Sequence, residues 1–373
     1  MIKVLIVGFT DNLGGIENVI MNYYRKINKT KIQFNFLYST NTIALKDEIE
    51  SLGGKVYHIA PKHSNFFKYK KDIKLFFKNH AKEYDAIWVN FCNITNLDYF
   101  KLAKKYDIKK RIIHAHNSQN MGSFLKLIIH IINRKLIKLY ATDFWSCSQV
   151  ASNWFYSDKI INSSKHRIVN NAIDYDKFKY NENIRNDIRK KLKLEDYVVF
   201  GNVGRFHFQK NHSFALRVFC KFLKLNPKSV FLLIGSGEEN DNIKQIVKEL
   251  NIEDKVKFLG VRNDVNELLQ AMDIFLFPSL FEGLSLSLIE AQASGVLVFT
   301  SDNVSIETRM SDNIYFWNLN DGGKWASKIF KIYKKYDRKK AKNRIRENNF
   351  DIQTEVKKIE NIFLKKEIKW NIL

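Results

Sequence analysis

The sequence contains few of the residues that cross-link or interrupt a chain. Among its 373 residues there are three cysteines and three prolines. Cys92, Cys147 and Cys220 lie far apart and are odd in number, so they suggest neither a disulfide framework nor a zinc-binding spacing. Their scarcity favours a reducing, cytoplasmic compartment. The rarity of proline argues against long proline-rich linkers.

Long apolar runs are missing as well. The amino-terminal stretch MIKVLIVGF is too short for the apolar core of a signal peptide and has no small-residue cleavage site. No uninterrupted run reaches the roughly 18 apolar residues of a membrane-spanning helix. We therefore expect neither a signal peptide nor a membrane span.

Negative charge is in the minority. The chain carries 62 Lys and Arg against 39 Asp and Glu, which gives a formal net charge of +23. About half of this excess lies in residues 61–140, where 17 Lys and Arg stand against 5 Asp and Glu. Such a charge predicts attraction to an anionic partner, which could be nucleic acid, acidic lipid or a phosphorylated small molecule.

Apolar runs of strand length alternate with loops and helical patterns along the chain. The run at residues 3–7 suits a strand buried on both faces of a parallel sheet. The rhythm restarts at residues 197–206, which begin a series of five strand candidates. This pattern predicts an α/β fold of two Rossmann-like, doubly wound domains that face each other across a cleft.

The expected domains have the following bounds. We place a first domain at residues 1–170, a second at 171–350, and a C-terminal helix at 351–373 that packs back on the first domain. The boundary is expected within the polar and charge-rich residues 169–196. Ligands of open α/β sheets bind beyond the carboxyl ends of the strands, so each loop that follows a strand is a candidate binding element.

Glycine-containing loops follow strands in both predicted domains. In NLGGIE, Gly14 and Gly15 would let backbone amides approach an anion at a helix N-terminus. In IGSGEE, Gly235 also follows a strand, but this signal is weak by itself. Both loops could instead be plain strand-to-helix turns.

A basic loop follows the first strand of the second domain. In VGRFHFQKN, the guanidinium of Arg205 and the ammonium of Lys210 could hold a diphosphate, the first as a fork and the second as a point charge. The alternative is a solvated basic loop.

The stretch FEGLSLSLIEAQASG places Glu282 before a helix predicted at residues 284–294 and Glu290 inside it. Eight helical positions turn roughly 80° beyond two full turns, so the two carboxylates need not share a face. They could bracket one ligand over the helix start, where the amides of the first turn would meet a phosphate. Alternatively, Glu282 is favoured there by the helix dipole and Glu290 is an unrelated helical charge.

Two histidines and two aspartates are candidates for other chemistry. His114 and His116 end one strand and share a face, but no further ligands at zinc-like spacing accompany them. We expect His114 to be an ordinary core or surface histidine and His116 to be functional. Asp174 and Asp176 form an Asp-x-Asp pair that could hold a divalent ion, yet they lie in the connection between domains, where we expect no metal.

Residues 121–141 are apolar nearly throughout and include four cations. This composition suits a helix that lies on an anionic membrane surface. It also suits a partly buried helix with a cationic edge. For the first case the expected cations are Lys126, Arg134, Lys135 and Lys138, and the expected apolar side is Phe124, Leu127, Ile128 and Ile131.

Taken together, these pieces resemble the GT-B glycosyltransferases of the large retaining family that includes glycogen and sucrose synthases. More narrowly, they resemble bacterial enzymes of exopolysaccharide and capsule assembly. The resemblance covers nearly the whole chain and is specific because the Glu-x7-Glu pattern occurs in register with the other loops. The segments that carry it are GGIENVIMNYYRKI, IHAHNS, FWSCSQVASNWFY, IVNNAIDYDKF, VGRFHFQKN, LLIGSGE and VKFLGVRNDVNELLQAMDIFLFPSLFEGLSLSLIEAQASG.

This resemblance implies a nucleotide sugar, with UDP as the expected nucleotide. It puts Arg205 and Lys210 on the diphosphate, Glu290 on the ribose hydroxyls and Glu282 near the donor sugar. The residues it assigns to catalysis are His116, Glu282, Arg205 and Lys210. The residues it assigns to the nucleotide sugar are Gly14, Gly15, Gly204, Arg205, Lys210, Gly235, Val261, Arg262, Glu282, Gly283, Leu284, Ser285 and Glu290.

The sequence departs from the family pattern at three positions. Ser285 and Ser287 stand where close relatives tend to carry proline or valine, and Ala172 stands where glycine is common. We expect these changes to adjust the site without abolishing it.

The implied activity is retaining transfer of a hexose or N-acetylhexosamine to a lipid-linked or growing glycan at the inner face of the plasma membrane. The leaving diphosphate would accept the acceptor's proton, and cations would replace a metal, so no cofactor is expected. One alternative is a nucleotide-sugar epimerase of the same fold. Another is a nucleic-acid-binding protein, although no helix-turn-helix, zinc-finger or RNA-reading signature is present. The sequence does not indicate an oligomeric state.

Overall fold

The computed structural model describes residues 1–11, 14–117, 123–282 and 284–364. The chain divides into two compact units. The first consists of residues 1–172 and a segment that starts at Ile352, and the second is Ile173–Asp351. Each unit contains one parallel sheet with helices packed against it. The predicted α/β class with two doubly wound domains is confirmed.

Thirteen strands are found in the described residues. They are β1 (Ile2–Val7), β2 (Ile32–Tyr38), β3 (Val56–His58), β4 (Ala86–Phe91), β5 (Lys110–Ala115), β6 (Asp143–Ser146), β7 (His166–Ile168), β8 (Val198–Val203), β9 (Ser229–Ile234), β10 (Val256–Gly260), β11 (Ile274–Phe277), β12 (Leu297–Ser301) and β13 (Ile314–Trp317). The first sheet has the order β3-β2-β1-β4-β5-β6-β7, and the second has the order β10-β9-β8-β11-β12-β13.

The helices complete the strand-helix alternation in both units. They are α1 (Gly15–Lys26), α2 (Lys46–Ser51), α3 (Phe66–His80), α4 (Asp98–Lys105), α5 (Phe124–Leu136), α6 (Gln149–Phe155), α7 (Asp158–Ile161), α8 (Tyr175–Phe178), α9 (Glu182–Leu192), α10 (His212–Leu223), α11 (Asn240–Glu249), α12 (Val265–Ala271), α13 (Leu286–Ala293), α14 (Gly322–Tyr333) and α15 (Ile352–Phe363). Among the described residues, no helix combines the length and the apolar character needed to span a bilayer.

The strand order places two switch points where ligands of open sheets bind. In the first sheet the order reverses between β1 and β4, and in the second it reverses between β8 and β11. The helices on the two sides of a sheet diverge at such a point, which leaves room beyond the carboxyl ends of the two strands. The loops after three of these strands, β1, β8 and β11, hold candidate site residues, and the loops after the neighbouring strands β5, β9 and β10 hold others.

Buried strands explain why the sequence pattern was readable. All six residues of β9 are buried, as are the first five of β8, and such strands read as continuous apolar runs. The sequence analysis named five strands in the second sheet but missed β13, a short edge strand paired with β12. Three of its four residues are only partly buried, so its pattern is weaker than that of a central strand.

Helix α13 is shorter than the predicted 284–294. It begins at Leu286 because Ser285 adopts an extended conformation (φ −89°, ψ 119°) and forms the N-cap. It ends at Ala293, and Gly295 follows in the left-handed region with φ +68°. Glu290 lies inside this helix, as predicted.

Helix α15 packs within the first unit. The ring of Phe363 lies 6.3 Å from Trp88 and 6.4 Å from Phe34, both in the core beneath α15. The carboxylate of Glu360 accepts a hydrogen bond from the amide of Asn28 at 2.6 Å. The last residues of the predicted C-terminal helix, 365–373, lie outside the described residues.

Candidate functional site

The loops that follow β8, β9 and β11 are joined at the carboxyl edge of the second sheet. The amide of Gly204 donates to the carbonyl of Ile234 at 3.0 Å, and the amide of Phe206 donates to Ser236 at 2.9 Å. The amide of Leu280 donates to the carbonyl of Gln209 at 2.8 Å. These backbone bonds position the side chains at the edge.

Two glycines are required where these loops approach each other. Gly235 has φ +133°, and a Cβ there would lie 1.9 Å from the carbonyl oxygen of Gly204. Gly204 has φ +159°, and a Cβ there would lie 3.3 Å from Cε of Lys210. Only glycine combines this conformation with such close packing. Both glycines thus have a structural role, and contact with a ligand remains a prediction.

Lys210 and Glu282 are brought together although 72 positions separate them. The ammonium Nζ of Lys210 lies 2.5 Å from Oε1 of Glu282. It also lies 4.5 Å from the centre of the Phe277 ring. Lys210 follows β8 and Glu282 follows β11, so the pair marks the switch point of the second sheet.

Hydrogen bonds to the backbone of residues 281 and 282 hold Glu282 in this position. Gln209 Nε2 donates to the carbonyl of Phe281 at 2.8 Å, and the amide of Ser305 donates to the carbonyl of Glu282 at 3.2 Å. The loop that carries Glu282 is therefore tied both to the Lys210 loop and to the loop after β12.

Arg205 is paired with a residue that the sequence analysis did not single out. Its guanidinium lies 3.1 Å from Glu238, and its side chain is 71% exposed. His207 Nε2 lies 3.3 Å from the other oxygen of Glu238. The pKa of Glu238 is lowered, first by a hydrogen bond from its own backbone and then by the neighbouring Arg205 and His207. Glu238 belongs to IGSGEE, so only its place in a strand-end loop could have indicated it.

Glu290 is a partly buried carboxyl group on α13. Loss of water around it raises its pKa from 4.5 to about 7, and the nearby charge of Lys177 opposes this shift. The carboxyl is therefore close to half-ionised at neutral pH. A hydrogen-bond donor that approaches such a carboxyl group favours its ionised form and lowers its pKa.

Lys177 was missed from the sequence because it lies on α8, in the segment read as a connection. It lines an open cavity of about 540 Å³ together with the predicted residues Val261 and Arg262. Arg262 is held by Asp264, with nitrogen–oxygen distances of 2.8 and 2.5 Å. The remaining residues that line the cavity are Asn263, Asn266 and Glu267.

Two other predicted residues lie around the start of α13. Ser285 is buried as its N-cap, and Leu284 is partly buried against the core of the second unit. The first amides of a helix have no partner within the helix, so this terminus offers donors to an anion. Gly283 lies outside the described residues.

The Asp-x-Asp pair takes part in the packing of the second unit. Asp176 lies 2.8 Å from the ammonium of Lys179 and 2.8 Å from the guanidinium of Arg346. The hydrogen bond from Lys179 is the first cause that lowers its pKa. Among residues 1–11, 14–117, 123–282 and 284–364, no group of three or more His, Cys, Asp or Glu could hold a metal ion.

In the first unit, Glu17 organises the loop that precedes α1. Its side chain is buried, and its carboxylate accepts bonds from the amide of Thr10 at 3.0 Å, the hydroxyl of Thr10 at 2.9 Å and the amide of Gly14 at 3.1 Å. A Cβ added at Gly15 would meet no described atom within 4 Å. The sequence analysis quoted Glu17 within NLGGIE but assigned it no role.

His116 lies where β5 ends, beside the end of β4. Its Nε2 lies 2.9 Å from Oδ1 of Asn90, and its ring centre lies 4.0 Å from that of His114. Burial lowers the pKa of His116 from 6.5 to about 3, so the ring is neutral at physiological pH. Trp88 Nε1 donates to Nδ1 of His114 at 3.2 Å, which places that histidine in the aromatic core as expected.

Residues 183–350 match the family described as Glycosyl transferases group 1. The match covers fewer than half of the chain's 373 residues, so it shows that this segment is similar to the group 1 glycosyltransferases. The resemblance stated from the sequence is confirmed, and the match includes every predicted site residue of the second unit.

Similar proteins match more of the chain than residues 183–350. The Bacillus subtilis (strain 168) protein EpsF, whose name describes a glycosyltransferase, is 29% identical over 303 residues, covering 79% of this chain and 77% of EpsF. The capsular polysaccharide biosynthesis glycosyltransferase CapH of Staphylococcus aureus is 26% identical over 98% of this chain and 99% of CapH.

A third relative is named for its acceptor. The UDP-Gal:alpha-D-GlcNAc-diphosphoundecaprenol alpha-1,3-galactosyltransferase of Escherichia coli is 29% identical over 217 residues, which cover 55% of each chain. Among solved structures, Anabaena HepE in complex with UDP has a TM-score of 0.73 at 16% identity, covering 97% of this chain and 95% of HepE. At this identity the likeness shows that the two chains share the fold.

Proposed function

We propose that this protein is a glycosyltransferase that transfers a hexose or N-acetylhexosamine from a UDP-sugar to a lipid-linked or growing glycan, with retention at the anomeric carbon. The observation that carries the proposal is the pairing of Lys210 with Glu282 at the switch point of the second sheet. A cation, a carboxylate and the start of α13 meet there, and each can contact a different part of a nucleotide sugar.

The donor is proposed to lie along the carboxyl edge of the second sheet. Glu290 would accept hydrogen bonds from the ribose hydroxyls, and the cavity at Val261 and Arg262 would hold the base. Lys210 and Arg205 would meet the diphosphate. The ion pair between Arg205 and Glu238 is exposed and contributes little to stability. Arg205 can therefore leave Glu238 to bind the diphosphate.

The chemical step requires stabilisation of the leaving diphosphate. As the glycosidic bond to the donor breaks, negative charge builds on the diphosphate oxygens, and preorganised cations and helix amides stabilise it without reorganisation. The same diphosphate would accept the proton of the acceptor hydroxyl. Glu282 would orient the sugar and hold Lys210. We propose that no metal is needed. The resemblance also assigns His116, Gly14 and Gly15 to the donor, and these roles remain predictions.

The proposed acceptor class is a sugar carried on a polyprenyl diphosphate. The Escherichia coli relative supports it, because its name gives a diphosphoundecaprenol acceptor. CapH, which is named for capsular polysaccharide biosynthesis, supports a role in polysaccharide assembly. Such an acceptor lies in a membrane, so the enzyme is proposed to work as a peripheral protein at the inner face of the plasma membrane.

Helix α5 supports the proposed membrane contact. It is attached through polar groups: Nδ1 of His130 accepts from the amide of Ile94 at 3.0 Å, and Asn133 Nδ2 donates to the carbonyl of Ile94 at 2.8 Å. Its large apolar side chains are exposed, with Phe124 at 75%. The exposed apolar residues of α5 are Phe124, Leu125, Ile128, Ile131, Ile132 and Leu136.

Helix α3 adds to this surface. Its first turn exposes 86% of Phe67, and Lys70 on the same helix pairs with Asp98 at 2.7 Å. Helix α3 therefore contacts Asp98, and α5 contacts Ile94 four residues earlier in the chain. Apolar groups flanked by lysines are the combination that binds anionic bilayers.

Donor binding and transfer can be tested in one series. A thermal shift across a panel of UDP-, GDP- and ADP-sugars should show stabilisation by UDP-sugars, since a ligand of the native state raises the melting temperature. Incubation with the stabilising donor and an undecaprenyl-diphosphate sugar should then give a product with the anomeric configuration of the donor. NMR of the product measures this configuration. Inverted linkage would contradict retention. Inversion at C2 of the donor without any acceptor would instead favour the epimerase.

A further inference from the structure

Asn90 lies between three strands at the carboxyl edge of the first sheet. It is 2% exposed, near the end of β4. Its Nδ2 donates to the carbonyl of Val7 on β1 at 3.0 Å, and its Oδ1 lies 2.9 Å from Nε2 of His116 after β5. One side chain therefore links the two strands at the switch point to the histidine.

The orientation of the Asn90 amide follows from these contacts. The carbonyl of Val7 can only accept a hydrogen bond, so the NH₂ group must face it. Oδ1 then faces His116 and can only accept. The proton between Oδ1 and Nε2 must therefore belong to the histidine.

The backbone around Asn90 is closely packed. Gly8, which follows β1, has φ +107°, and a Cβ there would lie 2.3 Å from the carbonyl oxygen of Asn90. The amide of His116 donates to the carbonyl of Phe91 at 3.0 Å. The residue pair is thus held by its own strands and does not depend on a flexible loop.

We propose that Asn90 is a positioning residue that holds His116 as the Nε2–H tautomer, so that Nδ1 is a hydrogen-bond acceptor for a substrate hydroxyl. A neutral imidazole has one donor and one acceptor nitrogen, and the partner of one fixes the role of the other. His116 is partly exposed, so a sugar hydroxyl can be the partner of Nδ1. The part of the inference that concerns a hydroxyl rests on the proposed function; the tautomer does not.

The tautomer can be measured without any assay of activity. Long-range ¹H–¹⁵N spectra of the full chain labelled with ¹⁵N-histidine distinguish a protonated ring nitrogen from an unprotonated one, and a His116→Gln variant assigns the signals. We expect His116 of the wild-type protein to carry its proton on Nε2 at pH 7. A proton on Nδ1 of His116, or a mixture of both tautomers, would overturn the proposal.

Variants then separate positioning from general stability. Asn90→Leu should mix the tautomers and lower kcat by about tenfold or more, while donor affinity stays within about twofold. Asn90→Asp keeps an acceptor for Nε2–H and should restore much of kcat, although it loses the bond to Val7. Equal kcat in the Leu and Asp variants, or an unchanged tautomer in Asn90→Leu, would contradict the assignment.

Asn35 provides a matched control in the same unit. It is also buried, accepts from the amide of Lys55 at 2.9 Å and donates to the hydroxyl of Tyr84 at 3.3 Å. Asn35→Leu should lower stability as Asn90→Leu does, yet leave the His116 tautomer and kcat unchanged. If the wild-type tautomer is as expected but no nucleotide sugar supports transfer, the proposed function fails and the assignment of Asn90 stands.

Discussion

The ammonium of Lys210 lies 2.5 Å from the carboxylate of Glu282, and the two side chains are only 15% and 13% exposed. A shielded pair of this kind loses much of its hydration, so removal of one partner leaves an uncompensated charge. For the proposed glycosyltransferase this pair has a second consequence. Any anion that binds at Lys210 must share the cation with Glu282.

Lys210→Ala should lower kcat more than donor affinity, because the diphosphate gains charge in the transition state. We expect a loss of at least about 100-fold in kcat, of the size seen when one donor to a developing anion is removed. Steady-state kinetics together with calorimetry of donor binding separates the two effects. The exposed Lys221→Ala in the same unit serves as control. Reduced donor affinity with unchanged kcat would refute a role at the leaving group.

Glu290→Ala should weaken donor binding at least about tenfold, since a hydrogen bond to a charged group contributes roughly 1.5–3 kcal/mol. The raised pKa of Glu290, about 7, adds a dependence on pH. Below pH 7 the carboxyl is protonated and accepts poorly, so wild-type affinity should rise as the pH passes through 7. Calorimetry from pH 6 to pH 8 measures this. The Glu290→Gln variant should show no such rise, and a flat wild-type profile would argue against ribose contact by the carboxylate.

Ionisation of Glu290 should also affect folding. A carboxyl with a raised native pKa favours the native state fully below its unfolded pKa of 4.5, and this contribution is lost as the pH rises to about 7. The free energy of unfolding of wild type relative to Glu290→Gln should therefore fall between these two pH values and stay constant above them. Urea unfolding at several pH values measures this difference. A difference that grows with pH would have the wrong sign.

Glu17→Ala should destabilise the first unit by roughly 2–3 kcal/mol, because it leaves the donors of Thr10 and Gly14 without their acceptor. Denaturant unfolding measures the change. Glu50→Ala removes an exposed carboxylate that lies 4.0 Å from Lys46, and it should cost less than about 0.5 kcal/mol. Equal effects of the two substitutions would show that the loop before α1 does not depend on Glu17.

Co-sedimentation with vesicles should show binding that needs anionic lipid and weakens as salt rises. Replacing the exposed Lys126, Lys135 and Lys138 with Gln should reduce it. Arg134 is left unchanged, since it donates to the carbonyl of Asn153 at 3.0 Å and its loss would also affect folding. The control replaces three lysines of α14 with Gln and so removes the same charge elsewhere. These lysines are Lys324, Lys328 and Lys331. Equal binding to neutral and anionic vesicles would leave α5 without a lipid partner.

Several properties of the protein could be read from the sequence because they depend on neighbours along the chain. A strand buried on both faces reads as an apolar run, and a glycine that ends it before a helix marks a binding loop. Repetition of this unit predicted two doubly wound domains. The position of Glu290 inside a helix also followed from local periodicity.

Other properties were decided only by tertiary structure, because they depend on groups that are distant in sequence. Lys210 meets Glu282 since β8 and β11 are neighbours in the sheet, and Asn90 meets His116 since β4 and β5 pair in parallel. Residues 121–141 are apolar nearly throughout, so periodicity could not distinguish burial from exposure. In helix α5, His130 and Asn133 bond to Ile94 and so lie on the packed side, while six large apolar side chains of the helix are exposed.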